Sequence, residues 1–157
     1  MRILSPRRVR HSFTQSLMAP PEEVFPLLCP VRETEWVPDW DPECVISHSG
    51  IAEKDCVFTT PASPQNSIWI ITLYDPDDYR IEMLKVTPNH TVGKLEIALS
   101  NAGNGGTCAE VAYTYTSLGP EGDVFLETFT EDGYREFMER WERALNHYLS
   151  KGEKIAG

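Results

Sequence analysis

The chain has 157 residues, 41% of them hydrophobic, and a formal net charge of −10. A chain of this length buries roughly 68–70% of the surface it exposes when unfolded, so it is expected to build one domain with a sizeable core and no disulfide or metal staple. The acidic balance repels phosphate backbones and argues against nucleic acid as a partner, and no stretch approaches the ~20 apolar residues of a membrane span.

The basic cluster Arg2, Arg7, Arg8 and Arg10 lacks the apolar run that a signal peptide carries, and it reads as a ragged basic end leading into the first strand. Residues 8–18 alternate, with Val9, His11, Phe13, Gln15 and Leu17 on one face and Arg10, Ser12, Thr14 and Ser16 on the other. A period of two predicts a half-buried strand. Ala19-Pro20-Pro21-Glu22-Glu23 then opens a short helix over 21–28, because proline suits a first helical turn and the glutamates favour its positive end. Pro30 opens a second short helix over 30–36, which Pro38 ends.

Residues 43–117 read as an antiparallel meander with strands at 43–49, 54–60, 66–74, 79–88, 92–101 and 106–117. Turn chemistry separates them at Ser49-Gly50, Pro61-Ala62-Ser63-Pro64, Asp75-Pro76-Asp77-Asp78 and Asn101 to Gly106. Residues 120–150 form one long amphipathic helix. Tyr134, Phe137, Met138, Trp141, Leu145, Tyr148 and Leu149 make its apolar stripe, and Lys151-Gly152 stops it. Gly133 interrupts this segment and admits two readings: a gap that leaves room for a ligand, or a break with Thr130 capping the second helical piece.

The expected architecture is therefore α+β: a curved antiparallel sheet of about seven strands around a long C-terminal helix, with two short helices after the first strand. This order resembles the START-like or SRPBCC superfamily, the helix-grip fold, across residues 1–157 as a single domain. The resemblance is carried by Ala19-Pro-Pro-Glu-Glu-Val-Phe-Pro-Leu-Leu28, Tyr113-Thr-Tyr-Thr116 and Trp141-Glu-Arg-Ala-Leu-Asn-His-Tyr-Leu149. Cys29-Pro-Val-Arg-Glu-Thr-Glu-Trp36 is similar to a bacterial branch whose members are defined by fold rather than activity. The resemblance implies a cavity between the long helix and the concave face of the sheet, where superfamily members bind lipids, polyketides or other apolar molecules.

Within such a cavity, His11 and Gln15 are polar groups beside Phe13 on an otherwise apolar strand face. Arg32, Glu35 and Trp36 share a side at i, i+3 and i+4, as an ion pair at a cavity mouth with Trp36 as lid, or as a surface pair with an anchoring tryptophan. Phe58, Tyr113, Tyr115, Phe129, Phe137 and Trp141 are candidate lining, with Phe129, Gly133, Phe137 and Trp141 in one line along the helix.

No catalytic constellation emerges. Cys44, His48 and Cys56 lack a fourth ligand at zinc spacing, and Gly103-Asn-Gly-Gly106 lacks the lysine and helix of a phosphate loop. Cys29, Cys44, Cys56 and Cys108 form no CxxC pair and read as reduced, mostly buried thiols of a cytoplasmic protein. The expected activity is binding of a small apolar molecule, lipid-like, polyketide-like or aromatic, by a monomer or weak homodimer with no cofactor or metal. The alternative is a cyclase, dehydratase or hydrolase acting on a hydrophobic carbonyl compound, with His11, Arg32 or Glu35 as acid, base or carbonyl polariser.

Overall fold

A computed structural model describes residues 1–157. Strand β1 (Arg8–Leu17) is followed by helix α1 (Pro21–Val24), a 3-10 turn at Phe25–Leu27 and a 3-10 helix at Arg32–Glu35. Strands β2 (Cys44–Ile46), β3 (Val57–Thr60), β4 (Ser67–Asp75), β5 (Arg80–Thr87), β6 (Thr91–Asn101) and β7 (Thr107–Ser117) come next, then helices α2 (Pro120–Thr128) and α3 (Glu131–Lys151). Each of the six expected strands of the meander is present. The two short helices are tighter than expected: the first keeps one α-helical turn before Pro26, and the second is 3-10 throughout. No helix is long and apolar enough to cross a membrane.

The seven strands form one antiparallel sheet in the order β1-β7-β6-β5-β4-β3-β2. Consecutive strands of the meander pair by hairpins, and β1 adds alongside β7 with His11 opposite Tyr113 and Phe13 opposite Val111. Register runs across the sheet, so Tyr113, Leu95 and Met83 continue the His11 row, and Tyr115, Gly93, Lys85, Trp69 and Phe58 form the next. Because side chains alternate along a strand, each row faces one side. These two rows face the helices, where Phe58, Leu95 and Met83 are buried.

The face toward the core packs Ile71, Ile81 and Val111 against Met138 and Leu145 of α3, each almost free of solvent contact. Burial of such side chains contributes roughly 1.5–3 kcal/mol apiece. Helix α3 also closes the free edge of β1: the Ser16 and Met18 N–H groups donate to Glu142 Oε2 at 2.7 Å and Asn146 Oδ1 at 3.0 Å. An exposed strand edge would otherwise invite pairing with another chain. The basic N-terminal end is tied down by Arg7–Asp123 at 3.2 Å and by Arg8 Nε donating to Thr116 Oγ1 at 2.7 Å. Of the four free cysteines, Cys29 and Cys56 are buried, Cys108 is partly buried and Cys44 is exposed, so burial is less general than the sequence led one to expect.

The C-terminal segment is two helices rather than one. Phe129 leaves helical geometry at φ −83°, ψ 67°, and Thr130 is the extended N-cap of α3, accepting the Gly133 N–H at 3.1 Å. Gly133 therefore sits in the first turn of α3, exposed to solvent, and does not roof the interior. Phe129 lies outside the helical line assigned to it and turns inward from the α2–α3 junction. At the other end Gly152 adopts φ 72°, a left-handed cap suited to glycine, and donates to the Tyr148 carbonyl at 2.7 Å. Removal of the cap by Thr130→Ala should cost about 1 kcal/mol of stability, read as a lower urea midpoint with unchanged slope.

Candidate functional site

Two aromatic walls stand over the concave face. On the β7 side, Tyr113 and Tyr115 stack with centroids 5.8 Å apart, and Phe129 meets Tyr115 edge-on at 5.0 Å. Phe137 of α3 lies 6.0 Å from Tyr113. On the other side Phe58 stacks on Trp69 at 5.2 Å, and Trp40 meets both edge-on. Between the walls the middle strands contribute Met83, Lys85, Gly93 and Leu95. Gly93 is required here, because a Cβ at this position would stand 2.7 Å from Tyr115 Cε1. Its absence lets the Tyr115 ring lie across β6 toward β5.

Four ionisable groups enter this interior without a protein partner. Tyr134 gives its hydroxyl to the Val111 carbonyl at 2.7 Å, but the hydroxyls of Tyr113 and Tyr115, the Glu33 carboxyl and the Lys85 amine have no hydrogen bond or ion pair. The only enclosed, unpartnered side-chain polar atoms are Gln15 Oε1 and Ser47 Oγ. The polar atoms of the four groups therefore reach accessible surface. Protein crowds each group, and desolvation is the largest influence on all four. It pushes Glu33 up to about 8, raises Tyr113 and Tyr115, the latter to about 12, and pulls Lys85 below the ordinary lysine range. Glu33 keeps part of its surface accessible.

The chamber has two polar ends. The charge on Glu33 contributes to raising Tyr113, so these groups share one end. No carboxylate pairs with Lys85, whose amine lies 5.0 Å over the Trp69 ring. The 3-10 geometry of Arg32–Glu35 aims Glu33 inward. With three residues per turn, Arg32 and Glu35 eclipse on one side and Glu33 points elsewhere. Neither Glu33 nor Lys85 was among the candidates drawn from the sequence. Lys85 shares a face with Ile81, Met83 and Thr87, but Leu84 and Val86 make the other face apolar too, so its direction comes from pairing with Gly93 and Trp69.

The sequence-derived candidates divide. Tyr113, Tyr115, Phe58 and Phe129 stand in the walls, and Phe13 packs on the core near them. His11 faces inward but its Nε2 pairs with the Phe129 carbonyl at 2.9 Å, and its ring packs on Phe129 and Tyr134. Gln15 is fully buried and donates to the Met138 carbonyl at 3.0 Å, so it anchors α3 instead of facing a ligand. Trp36 is no lid: it is fully buried, donates to the Leu27 carbonyl at 3.0 Å and packs 5.4 Å from Trp141. Arg32 and Glu35 form an exposed pair at 2.8 Å, joined by the Tyr148 hydroxyl donating to Glu35 at 2.6 Å. Gly133 faces water, as above.

A hollow of about 520 Å³ lies along the seam between α3 and the segment Val37–Asp39, with Phe137, Trp141 and Ile155 in its lining. Phe137, 45% exposed, also touches the chamber side through Tyr113, so it stands between hollow and chamber. A second hollow of similar size lies on the opposite sheet face among Arg10, Arg80, Glu82, Glu96 and Glu110, outside the grip of the helix.

A curved seven-stranded antiparallel sheet gripping a long C-terminal helix is the helix-grip fold of the START-like or SRPBCC superfamily, and the chain has this fold. Solved structures with it include norcoclaurine synthase from Thalictrum flavum in complex with dopamine and hydroxybenzaldehyde, at 12% identity and a TM-score of 0.67 over 96% of this chain and 91% of that one. Ara h 8.0201 matches at 15% identity and 0.62 over 92% and 99%, and CalU16 from Micromonospora echinospora at 18% and 0.58 over 96% and 86%. No protein-family model and no curated protein sequence matches the chain.

Proposed function

We propose that the protein binds a small, largely aromatic molecule carrying polar substituents in the chamber between the helices and the concave face of the sheet. The observation that carries this reading is the set of four ionisable groups, Glu33, Lys85, Tyr113 and Tyr115, that stand on or beside the concave face, crowded by protein and with no protein partner. Polar groups crowded by aromatic and apolar side chains and left without a protein partner suit a ligand that supplies the missing partners. Aromatic walls supply apolar area, and the polar groups fix orientation. Glu33, with a pKa of about 8, is mostly protonated at neutral pH and donates a hydrogen bond there, which favours a ligand with an acceptor such as a carbonyl or ether oxygen at that end.

Titration with 2-naphthol tests the reading. Saturable micromolar binding with a change in tryptophan emission is expected. Trp40→Phe and Trp69→Phe should reduce that change, whereas Trp36→Phe should not, since Trp36 has no surface to offer. An emission spectrum that stays constant up to the solubility limit would remove the chamber as a binding site.

A further inference from the structure

We infer that Lys85 captures an aldehyde or ketone carbonyl of the bound molecule as an imine; this rests on the binding reading above and extends it to the class of ligand. Lys85 faces inward from β5, in the row that runs Tyr115, Gly93, Lys85, Trp69. No carboxylate pairs with it, although the nearest lysine in the sheet, Lys94, pairs with Glu82 at 3.1 Å on the opposite face. An unpaired interior lysine weakens a fold, so packing alone gives no reason for it. The Trp69 ring, 5.0 Å from Nζ, holds the side chain without neutralising it by a proton-accepting group. On the other flank, Gly93 has no side chain, and the Tyr115 phenol lies over the gap.

Burial lowers the Lys85 pKa, which raises the share of neutral amine, the nucleophilic form. Its nitrogen lone pair attacks the carbonyl carbon, a C–N bond forms, and the carbonyl π pair moves to oxygen. The oxygen gains a proton as the nitrogen loses one, giving a carbinolamine. Expulsion of that oxygen as water then leaves the C=N bond, so the amine and carbonyl are exchanged for imine and one water. The Tyr115 hydroxyl remains protonated at neutral pH, because burial raises it, and from its place over Gly93 it can donate to the departing oxygen. Hydrolysis reverses the sequence, and no oxidant or reductant enters it.

The test uses 2-naphthaldehyde with sodium cyanoborohydride, which reduces an imine to a stable amine, on the full chain at neutral pH. The expected result is one adduct per chain mapping to Lys85, formed about tenfold faster than on Lys54, Lys94, Lys151 or Lys154, whose amines are more exposed or paired. 2-Naphthol, which binds the same chamber but has no carbonyl, should suppress the adduct. Lys85→Arg keeps a cation and Lys85→Met keeps the side-chain volume. Both should abolish the adduct while still melting cooperatively. Naphthaldehyde that changes tryptophan emission but labels only surface lysines, or labels Lys85 at a rate 2-naphthol does not affect, would overturn the imine and leave the binding reading intact. No emission change with either compound would overturn both.

Discussion

Trp36→Ala is expected to destabilise the protein by about 3–5 kcal/mol, the range for deletion of a large buried aromatic. Trp36 is fully buried, packs 5.4 Å from Trp141 and gives its indole N–H to the Leu27 carbonyl at 3.0 Å. It thereby joins three parts of the chain: the 3-10 turn at Phe25–Leu27, the 3-10 helix at Arg32–Glu35 and α3. A domain of this kind has only about 5–15 kcal/mol to lose, so the variant should unfold at a much lower urea concentration. Trp36→Phe keeps a ring against Trp141 and leaves the Leu27 carbonyl without its donor, for a smaller loss of about 1–2 kcal/mol. A loss below about 1 kcal/mol for the alanine variant would mean that the indole is a mobile cover over the chamber rather than part of the core.

Glu33→Gln should stabilise the protein at alkaline pH and leave it nearly unchanged at acidic pH. Desolvation raises the Glu33 carboxyl from 4.5 to about 8 in the folded chain. Below 4.5 both folded and unfolded chains hold the proton, and stability does not depend on this group. Between 4.5 and about 8 the unfolded chain has released the proton while the folded chain keeps it, so stability falls as pH rises. Above about 8 the folded chain carries an unpaired carboxylate facing the chamber and the penalty is complete. Water entering the chamber screens the charge, so the penalty is about 2 kcal/mol rather than the full value of the shift. Urea midpoints at pH 4, 7 and 9 should show the variant and the unmodified chain converging at pH 4 and separating progressively toward pH 9. Parallel curves at all three values would place the carboxyl in bulk water, and the chamber would lose one of its polar ends. A bound ligand that accepts a hydrogen bond from Glu33 should raise its pKa further and move the separation to higher pH, which gives the same experiment a second readout.

On the proposed reading, the same protonation sets what the chamber accepts. At neutral pH the Glu33 end donates and the Lys85 end carries either a cation or a nucleophilic amine. A molecule with an acceptor at one end and a carbonyl at the other matches both, and a dianion does not. Norcoclaurine synthase, which shares the fold at 12% identity, has been solved with dopamine and hydroxybenzaldehyde. At that identity the likeness extends to the fold, and the chemistry proposed for Lys85 stands on this chain's own residues.

Alternation of Val9, His11, Phe13, Gln15 and Leu17 determined β1, because a period of two permits only a strand with one covered face, and the turn residues between 49 and 106 cut the meander into its observed strands. The helix stripe Tyr134, Met138, Leu145 determined α3 for the equivalent reason at a period of 3.6. What the sequence left open was every matter decided by direction rather than period. Gly133 fits a ligand gap and a capped break equally well as a letter in a chain; the φ/ψ of Phe129 and the Thr130 side chain decide for the break. Trp36 next to Glu35 looks like a lid on an α-helical wheel, and the 3-10 geometry turns it into the core and sends Glu33 inward in its place. Lys85 stands among apolar residues on both strand faces, so its own neighbours do not say which way it points. Pairing with Gly93 and Trp69 does, since register across strands far apart in sequence assigns the face. Local patterns carry the energy of burial and so fix elements; the chamber is made by pairings between segments distant in the chain, and its polar groups acquire their chemistry only from the solvent those pairings exclude.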